Sequence, residues 1–164
     1  MAIEQDILTT IQTALEQSST LKNYVEKIYL GVRANDDSFV GDNIKNYIIL
    51  EPLSAEETYP SGGENLPASY GVNKQLTIAI AIIGVVTAVN VNDYSYVTGW
   101  GKTKGILDLD EDIKNAIDNS NAIQSLSDAE GVNITTNSFI FETFPKRKVI
   151  MTLTISRNFR KGER

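Results

Sequence analysis

The sequence contains no cysteine and no histidine among its 164 residues. Without cysteine the chain has no disulfide framework, no thiolate zinc site and no thiol nucleophile. Without histidine it lacks the side chain that most often acts as a general base or metal ligand near neutral pH, and a Ser-His-Asp triad is excluded. Carboxylate, lysine and tyrosine chemistry remains available. We therefore expect no enzyme activity, no catalytic residue, no metal site and no cofactor.

Basic residues are also few, since 15 lysines and arginines stand against 21 aspartates and glutamates, for a net charge of −6. This balance argues against specific nucleic-acid binding, which needs a basic footprint. Seven of the basic residues and one acidic residue lie between Lys146 and Arg164, so an acidic body ends in a basic segment at residues 157–164. That segment either packs against an acidic neighbour in an assembly or only favours solubility. It contributes three interface candidates, Arg157, Arg160 and Lys161.

No apolar run is long enough to cross a membrane. The longest candidate, Leu76 to Val89, has 14 residues, whereas a spanning helix needs about 20. Between Leu76 and Ile82 its large apolar residues alternate with threonine and alanine, which is the period of a strand. Met1 to Asp6 lacks a basic region followed by an apolar one, so we expect no secretory signal. The sequence therefore predicts a buried strand and no membrane partner.

Apolar periodicity predicts one domain over residues 1–164, ordered as helix, three strands, helix and two strands. Ile3, Ile7, Ile11 and Leu15 form the stripe of an amphipathic helix. The predicted strands cover 27–33, 46–51, 76–89, 131–144 with a bulge near Asn137, and 148–157. The second helix is predicted to begin near Asp108. Because the strands do not alternate regularly with helices, this order favours an α+β fold that ends in an antiparallel β-hairpin.

The segment Pro52 to Gly71 is predicted to be a long irregular loop. It holds three of the four prolines and the pair Gly62-Gly63, and such a length without secondary structure is unusual unless the loop is functional or disordered. We interpret it as an arm or hairpin that orders against a neighbouring subunit, with simple flexibility as the alternative. Tyr59 and Tyr70 are its interface candidates.

Two further patterns carry possible binding residues. Asp108, Asp110 and Asp112 match the first half of a calcium loop, but the glycine that should follow is Ile113, and acidic residues in the first turn of a helix are explained by the helix dipole. Tyr94, Tyr96 and Trp100 form an aromatic group that is either packed in the core or exposed at an interface. We include these three aromatic residues among the interface candidates.

Several stretches together resemble the tail terminator, or tail completion, proteins of siphophages and some myophages. They are the early isoleucines of the first helix, NYIILEPLS, the run from Lys74 to Ile117 with KQLTIAIAIIG and GILDLDEDIKNAI, and the closing FETFPKRKVIMTLTISRNF. The resemblance implies a small mixed, mainly antiparallel sheet packed by two helices. It also implies a hexameric ring that binds the last ring of the tail-tube protein, stops tube growth and docks the head–tail connector protein. The implied location is the tail or neck of the virion, and the host cytoplasm during assembly.

Three alternatives stay open from the residues. The first is another neck component, such as a head-completion or connector-adaptor protein, which a twelve-fold ring or binding to the portal would indicate. The second is a small-ligand domain with Tyr94, Tyr96 and Trp100 as a platform, which predicts a monomer with a concave aromatic site. The third, least favoured, is an enzyme that works with carboxylates alone.

Overall fold

The computed structural model describes residues 3–31, 44–88, 95–100, 103–128, 131–141 and 146–163. Its helices are α1 (Ile3–Glu16), α2 (Ser19–Lys22), α3 (Ser95–Thr98), α4 (Ile106–Asp118) and α5 (Asn121–Gln124). Its strands are β1 (Lys27–Leu30), β2 (Tyr47–Thr58), β3 (Asn73–Thr87), β4 (Asn133–Ile140) and β5 (Lys146–Arg160). The predicted α+β class is confirmed: α1 and α4 are its two long helices, and the other three have four residues each.

The strands form one sheet in the order β1-β2-β3-β5-β4. Only β1 and β2 are parallel, and the other neighbours are antiparallel, so the sheet is mixed and mainly antiparallel as expected. The terminal hairpin is confirmed as the pair β4 and β5, with a register shift at the predicted bulge between Thr136 and Ser138. The last strand lies inside the sheet, because β5 pairs with β3 from Asn73↔Arg160 to Thr87↔Lys146.

The main core lies between the helices and one face of this sheet. The predicted stripe of α1 is confirmed, since Ile7, Ile11 and Leu15 are fully buried. Burial of each such side chain contributes about 1.5–3 kcal/mol. Helix α4 approaches the sheet closely at Gly84 of β3, where a Cβ atom would lie 2.7 Å from a methyl carbon of Leu109. Glycine at this position therefore sets how near the helix packs.

The long apolar run of the sequence is explained by burial on both faces of β3. Ile78, Ile80 and Ile82 belong to the main core, whereas Ile83 and Val85 belong to a second cluster on the opposite face with Tyr47 and Ile49 of β2. A central strand buried on both faces reads as a continuous apolar stretch. The prediction of a strand here is confirmed, and no helix within the described ranges is long and apolar enough to span a membrane.

The prediction of an irregular loop over Pro52–Gly71 is wrong in its first part. Strand β2 continues to Thr58 and pairs with β3 down to Thr58↔Gln75, with a register shift between Pro52 and Ser54. The carbonyl of Leu50 accepts a hydrogen bond from the backbone N–H of Gly31, so the backbone groups of Leu50 point towards the β1 side. Backbone groups two residues apart in a strand point to the same side, so the N–H that Pro52 lacks would also have faced away from β3. Proline is tolerated at such an edge position and beside a bulge. The segment is therefore a hairpin whose tip contains a 3₁₀ helix at Ala68–Tyr70, and its ordering against a neighbouring subunit stays a prediction.

The second helix begins earlier than predicted. Gly105 is the residue at its N-cap, and α4 starts at Ile106. Asp108 is in the first turn, where its carboxylate accepts a hydrogen bond of 2.9 Å from the backbone N–H of Gly105. The acidic residue thus stabilises the helix start from the third helical position and not from the cap.

Candidate interface surfaces

The tip of the β2–β3 hairpin, residues 59–72, folds back on the end of β5. We call the hairpin tip together with this end of β5 the cap. Tyr59 is at its centre, with the ammonium groups of Lys74 and Lys161 at 5.2 Å and 5.1 Å from its ring centroid. Lys74 also forms a 2.8 Å ion pair with Glu57. The hydrogen bonds to Glu57 and then to Tyr59 raise the pKa of Lys74 above its ordinary value of 10.5. Cation–π contacts of this kind are worth about 0.5–1 kcal/mol at exposed sites.

Lys161 is the residue that ties the cap together. Its ammonium group donates two hydrogen bonds of 2.8 Å, to the carbonyls of Glu64 and Leu66. Its backbone N–H donates to the carbonyl of Val72, also at 2.8 Å. Lys161 lies directly after β5, and its side chain is engaged within the same subunit; its role at an interface stays a prediction.

Arg157 and Arg160 of the basic segment lie within β5, which continues to Arg160 and so ends three residues later than predicted. Both Arg157 and Arg160 are exposed. The guanidinium of Arg160 lies over Gly71, where a Cβ atom would be 2.7 Å from one of its nitrogens. The adjacent Tyr70 is 70% exposed. The cap therefore contains four of the predicted interface residues, Tyr59, Tyr70, Arg160 and Lys161, whereas Arg157 lies further along β5, paired with Leu76.

The two described members of the predicted aromatic group differ in their surroundings. Trp100 is 82% exposed, at a tight turn closed by hydrogen bonds of 3.1 Å and 3.0 Å with Thr103. Tyr96 instead packs against the main core from α3, and Tyr94 lies outside the described residues. The described pair is thus an exposed tryptophan and a partly buried tyrosine, and these two residues do not show the concave aromatic platform that the small-ligand alternative predicts.

A groove of about 720 Å³ lies between α1 and α4, away from the cap. Threonines of α1 and amides of α4 line it, and none of its described lining residues is aromatic. Asp112 of α4 faces this groove and accepts a 2.6 Å hydrogen bond from the hydroxyl of Tyr24. Burial, followed by this hydrogen bond and the charges of Asp112 and Asp108, raises the pKa of Tyr24 above its ordinary value of 10.0.

The three aspartates of the calcium-like pattern have separate partners. Asp108 caps the start of α4, Asp110 accepts from Thr136 at 2.5 Å and from Lys114 at 3.1 Å, and Asp112 accepts from Tyr24. Their carboxylates thus fasten α4 to its surroundings. In the parts of the chain that the structure describes, no group of three or more acidic side chains is arranged to hold a metal ion.

One surface was not singled out from the sequence, the outer edge of β4. Phe139 and Phe141 are 36% and 41% exposed, and their rings stack at 6.3 Å. The guanidinium of Arg147 lies 5.8 Å from the ring centroid of Phe141. The stretch from Gly131 to Phe141 contains no charged residue, which is the signal that could have drawn attention to this edge.

Comparison of the chain with family models and with curated proteins gives no match. The fold, the cap, the exposed Trp100 turn and the edge of β4 are therefore the features from which a function is inferred.

Proposed function

We propose that the chain is a structural protein of a tailed phage virion, a tail terminator that forms a hexameric ring, caps the tail tube and presents a docking face to the head–tail connector. The observation that carries the proposal is the architecture of the sheet. A five-stranded, mainly antiparallel mixed sheet, two long helices on one face and a C-terminal hairpin are the arrangement that the resemblance implies for this family.

The distribution of exposed groups supports a subunit with two docking faces. The cap lies at the end of the sheet where β3 begins and β5 ends. The Trp100 turn is adjacent to the start of α4, since Gly99 lies against Asp108, and the next residue, Leu109, lies against Gly84 near the other end of β3. Exposed aromatic and arginine side chains are the residue types enriched at protein interfaces. One end would face the tube and the other the connector.

The polar chemistry of the described residues is consistent with this role. A general acid or base works best with a pKa near the operating pH. The pKa of Tyr24 is instead shifted upward, away from that range, by burial and by Asp112. Tyr24 and Asp112 are 88 positions apart in sequence, and their hydrogen bond joins the region after α2 to α4. The hydrogen bond of Tyr24 thus serves to hold the helices together.

The test is a reconstruction of tailed particles that contain the chain, combined with measurement of tail lengths when the chain is omitted. The proposal expects six copies at the head-proximal end of the tube, and overlong tubes or tails without heads in the absence of the chain. A single copy per particle or a two-fold dimer overturns it. A twelve-fold ring bound to the portal would instead identify the chain as another neck component.

A further inference from the structure

The two edges of the sheet differ in chemistry. The outer edge of β4 carries no charged residue and no proline from Asn133 to Phe141, and within the described residues no strand pairs with it. Exposed edge strands of this kind are templates for pairing with another chain, and monomeric proteins usually protect them with charges or proline. Only the bulge at Asn137 interrupts this edge.

The opposite edge is divided between two halves of β2. Strand β1 covers the first half, because Lys27–Leu30 pairs with Tyr47–Leu50. In the second half, from Pro52 to Thr58, no described strand lies on the outer side. This half carries Pro52, Glu56 and Glu57, which are residue types that protect an edge from indiscriminate pairing, and Glu57 is ion-paired with Lys74 of its own chain. Beside β4 the basic residues lie at one end, where Lys148 of β5 pairs with Ile140 and the neighbouring Arg147 is buried.

We infer that a second copy of this chain occupies the β4 edge through the half of its own β2 that no described strand covers, so that the sheet continues from subunit to subunit around the ring. This inference rests on the proposed function. Charge disfavours the alternative of two paired β2 edges, because that arrangement would bring the glutamates of both copies close together. Strand direction also fits, since β2 and β4 run oppositely in the sheet and a neighbour added in the same orientation makes an antiparallel pair.

The offset between the two edges has the size that a closed sheet requires. Through β3, residues Ser54 and Thr58 of β2 are level with Thr154 and Asn158 of β5, whereas β4 pairs with residues 148–154 of β5. The centres of the two edges therefore differ by about five residues, or about 17 Å along the strands. In the proposed ring, four strand spacings separate β2 of one copy from β2 of the next copy, which amounts to about 19 Å across the sheet. The ratio of the offset of about 17 Å to this width of about 19 Å is the tangent of the strand tilt. The tilt is therefore about 40°, within the range of about 35–45° found in closed sheets.

The absence of cysteine makes this contact directly testable by disulfide cross-linking. Ser54 and Ser138 are exposed, and they lie on the same face of the sheet because their cross-strand partners Ala79 and Ile150 both lie on the face opposite the helices. The double variant S54C/S138C, oxidised with copper–phenanthroline at high protein concentration, is expected to give a ladder of covalent oligomers. Each single variant is expected to give no covalent oligomer, and an equal mixture of the two is expected to give a covalent dimer only.

A second variant tests the edge without cysteine. Ser138→Lys places a charge on the β4 edge, where lysine disfavours strand addition, and it should reduce the mass measured by light scattering to that of the 18.1 kDa chain. Its urea unfolding midpoint should match that of the unaltered protein. A covalent dimer from S138C alone would show a two-fold pairing of β4 edges and overturn the inference. Failure of the double variant to cross-link would overturn it as well, while a six-fold ring in particles would leave the proposed function standing.

Discussion

The Tyr24→Phe variant is expected to be less stable than the unaltered protein at neutral pH. This difference in the free energy of unfolding is expected to vanish at alkaline pH. The substitution removes the 2.6 Å hydrogen bond to Asp112. Hydrogen bonds to charged groups contribute about 1.5–3 kcal/mol, and the lower value applies because Lys104 remains 3.6 Å from the same carboxylate. We therefore expect the free energy of unfolding to fall by about 1.5 kcal/mol at pH 7.

The pH dependence follows from the raised pKa of Tyr24. Below its ordinary value of 10.0 the phenol is neutral in both states, so its contribution to stability is fully present. Above that value the unfolded chain releases the proton and the folded chain does not, so the contribution is lost by about 1.4 kcal/mol per pH unit. The unaltered protein and the Tyr24→Phe variant should therefore become equally stable near about pH 11.

Urea unfolding followed by circular dichroism from about pH 8 to about pH 11 measures this difference directly. Tyr70→Phe is the matched control, because it also removes one phenol but from a ring that is 70% exposed. Since other tyrosines and lysines titrate in both proteins, only the gap between them is interpreted. A gap that stays constant over the whole range would refute the reasoning, because Tyr24 would then ionise equally in the folded and unfolded states.

Three further variants test the packing and the cap. Gly84→Ala should lower the free energy of unfolding by about 1–3 kcal/mol through contact with Leu109. A double-mutant cycle with Leu109→Val should show coupling, and additive effects would contradict the close approach. Lys161→Met should lower the free energy of unfolding by about 1 kcal/mol and increase hydrogen exchange at the tip of the β2–β3 hairpin. Unchanged exchange would show that the two carbonyl contacts of Lys161 do not hold the tip. Arg157→Gln with Arg160→Gln should leave the unfolding midpoint unchanged yet slow docking and give overlong tubes; normal tail lengths would limit these exposed arginines to solubility.

The elements that could be predicted from the sequence are those set by local periodicity. The stripe of α1, the burial of β3 and the bulge at Asn137 follow from apolar spacing alone. The extension of β2 could not be predicted, because a strand signal stops at Pro52 and its continuation depends on pairing with β3 about 25 residues later. A missing N–H is harmless only when it faces away from the partner strand, and the sequence does not specify that side.

The cap and the open edge depend on contacts that are distant in sequence. Lys161 reaches the carbonyl of Glu64 across 97 positions, so its basic character suggested an external partner when the actual acceptors are backbone groups of its own chain. The exposure of Phe139 and Phe141 follows from β4 being the outermost strand, which alternation within one strand does not reveal. Periodicity identifies faces, whereas strand order decides which faces and edges remain open.

Strand order also separates the residues that determine stability from those that would determine assembly. Both faces of the central strand β3 are buried, and β2 and β5 flank it on either side. The edge of β4 lies beyond β5, so Ser138 is separated from Gly84 by a complete strand. Substitutions at sites that share no partner usually add in free energy. Gly84→Ala should therefore lower the unfolding midpoint with the oligomer retained, Ser138→Lys should do the reverse, and the double variant should show both effects at their separate sizes. A Gly84 variant that dissociates while still folded would mean that the edge is positioned by the contact between α4 and the sheet.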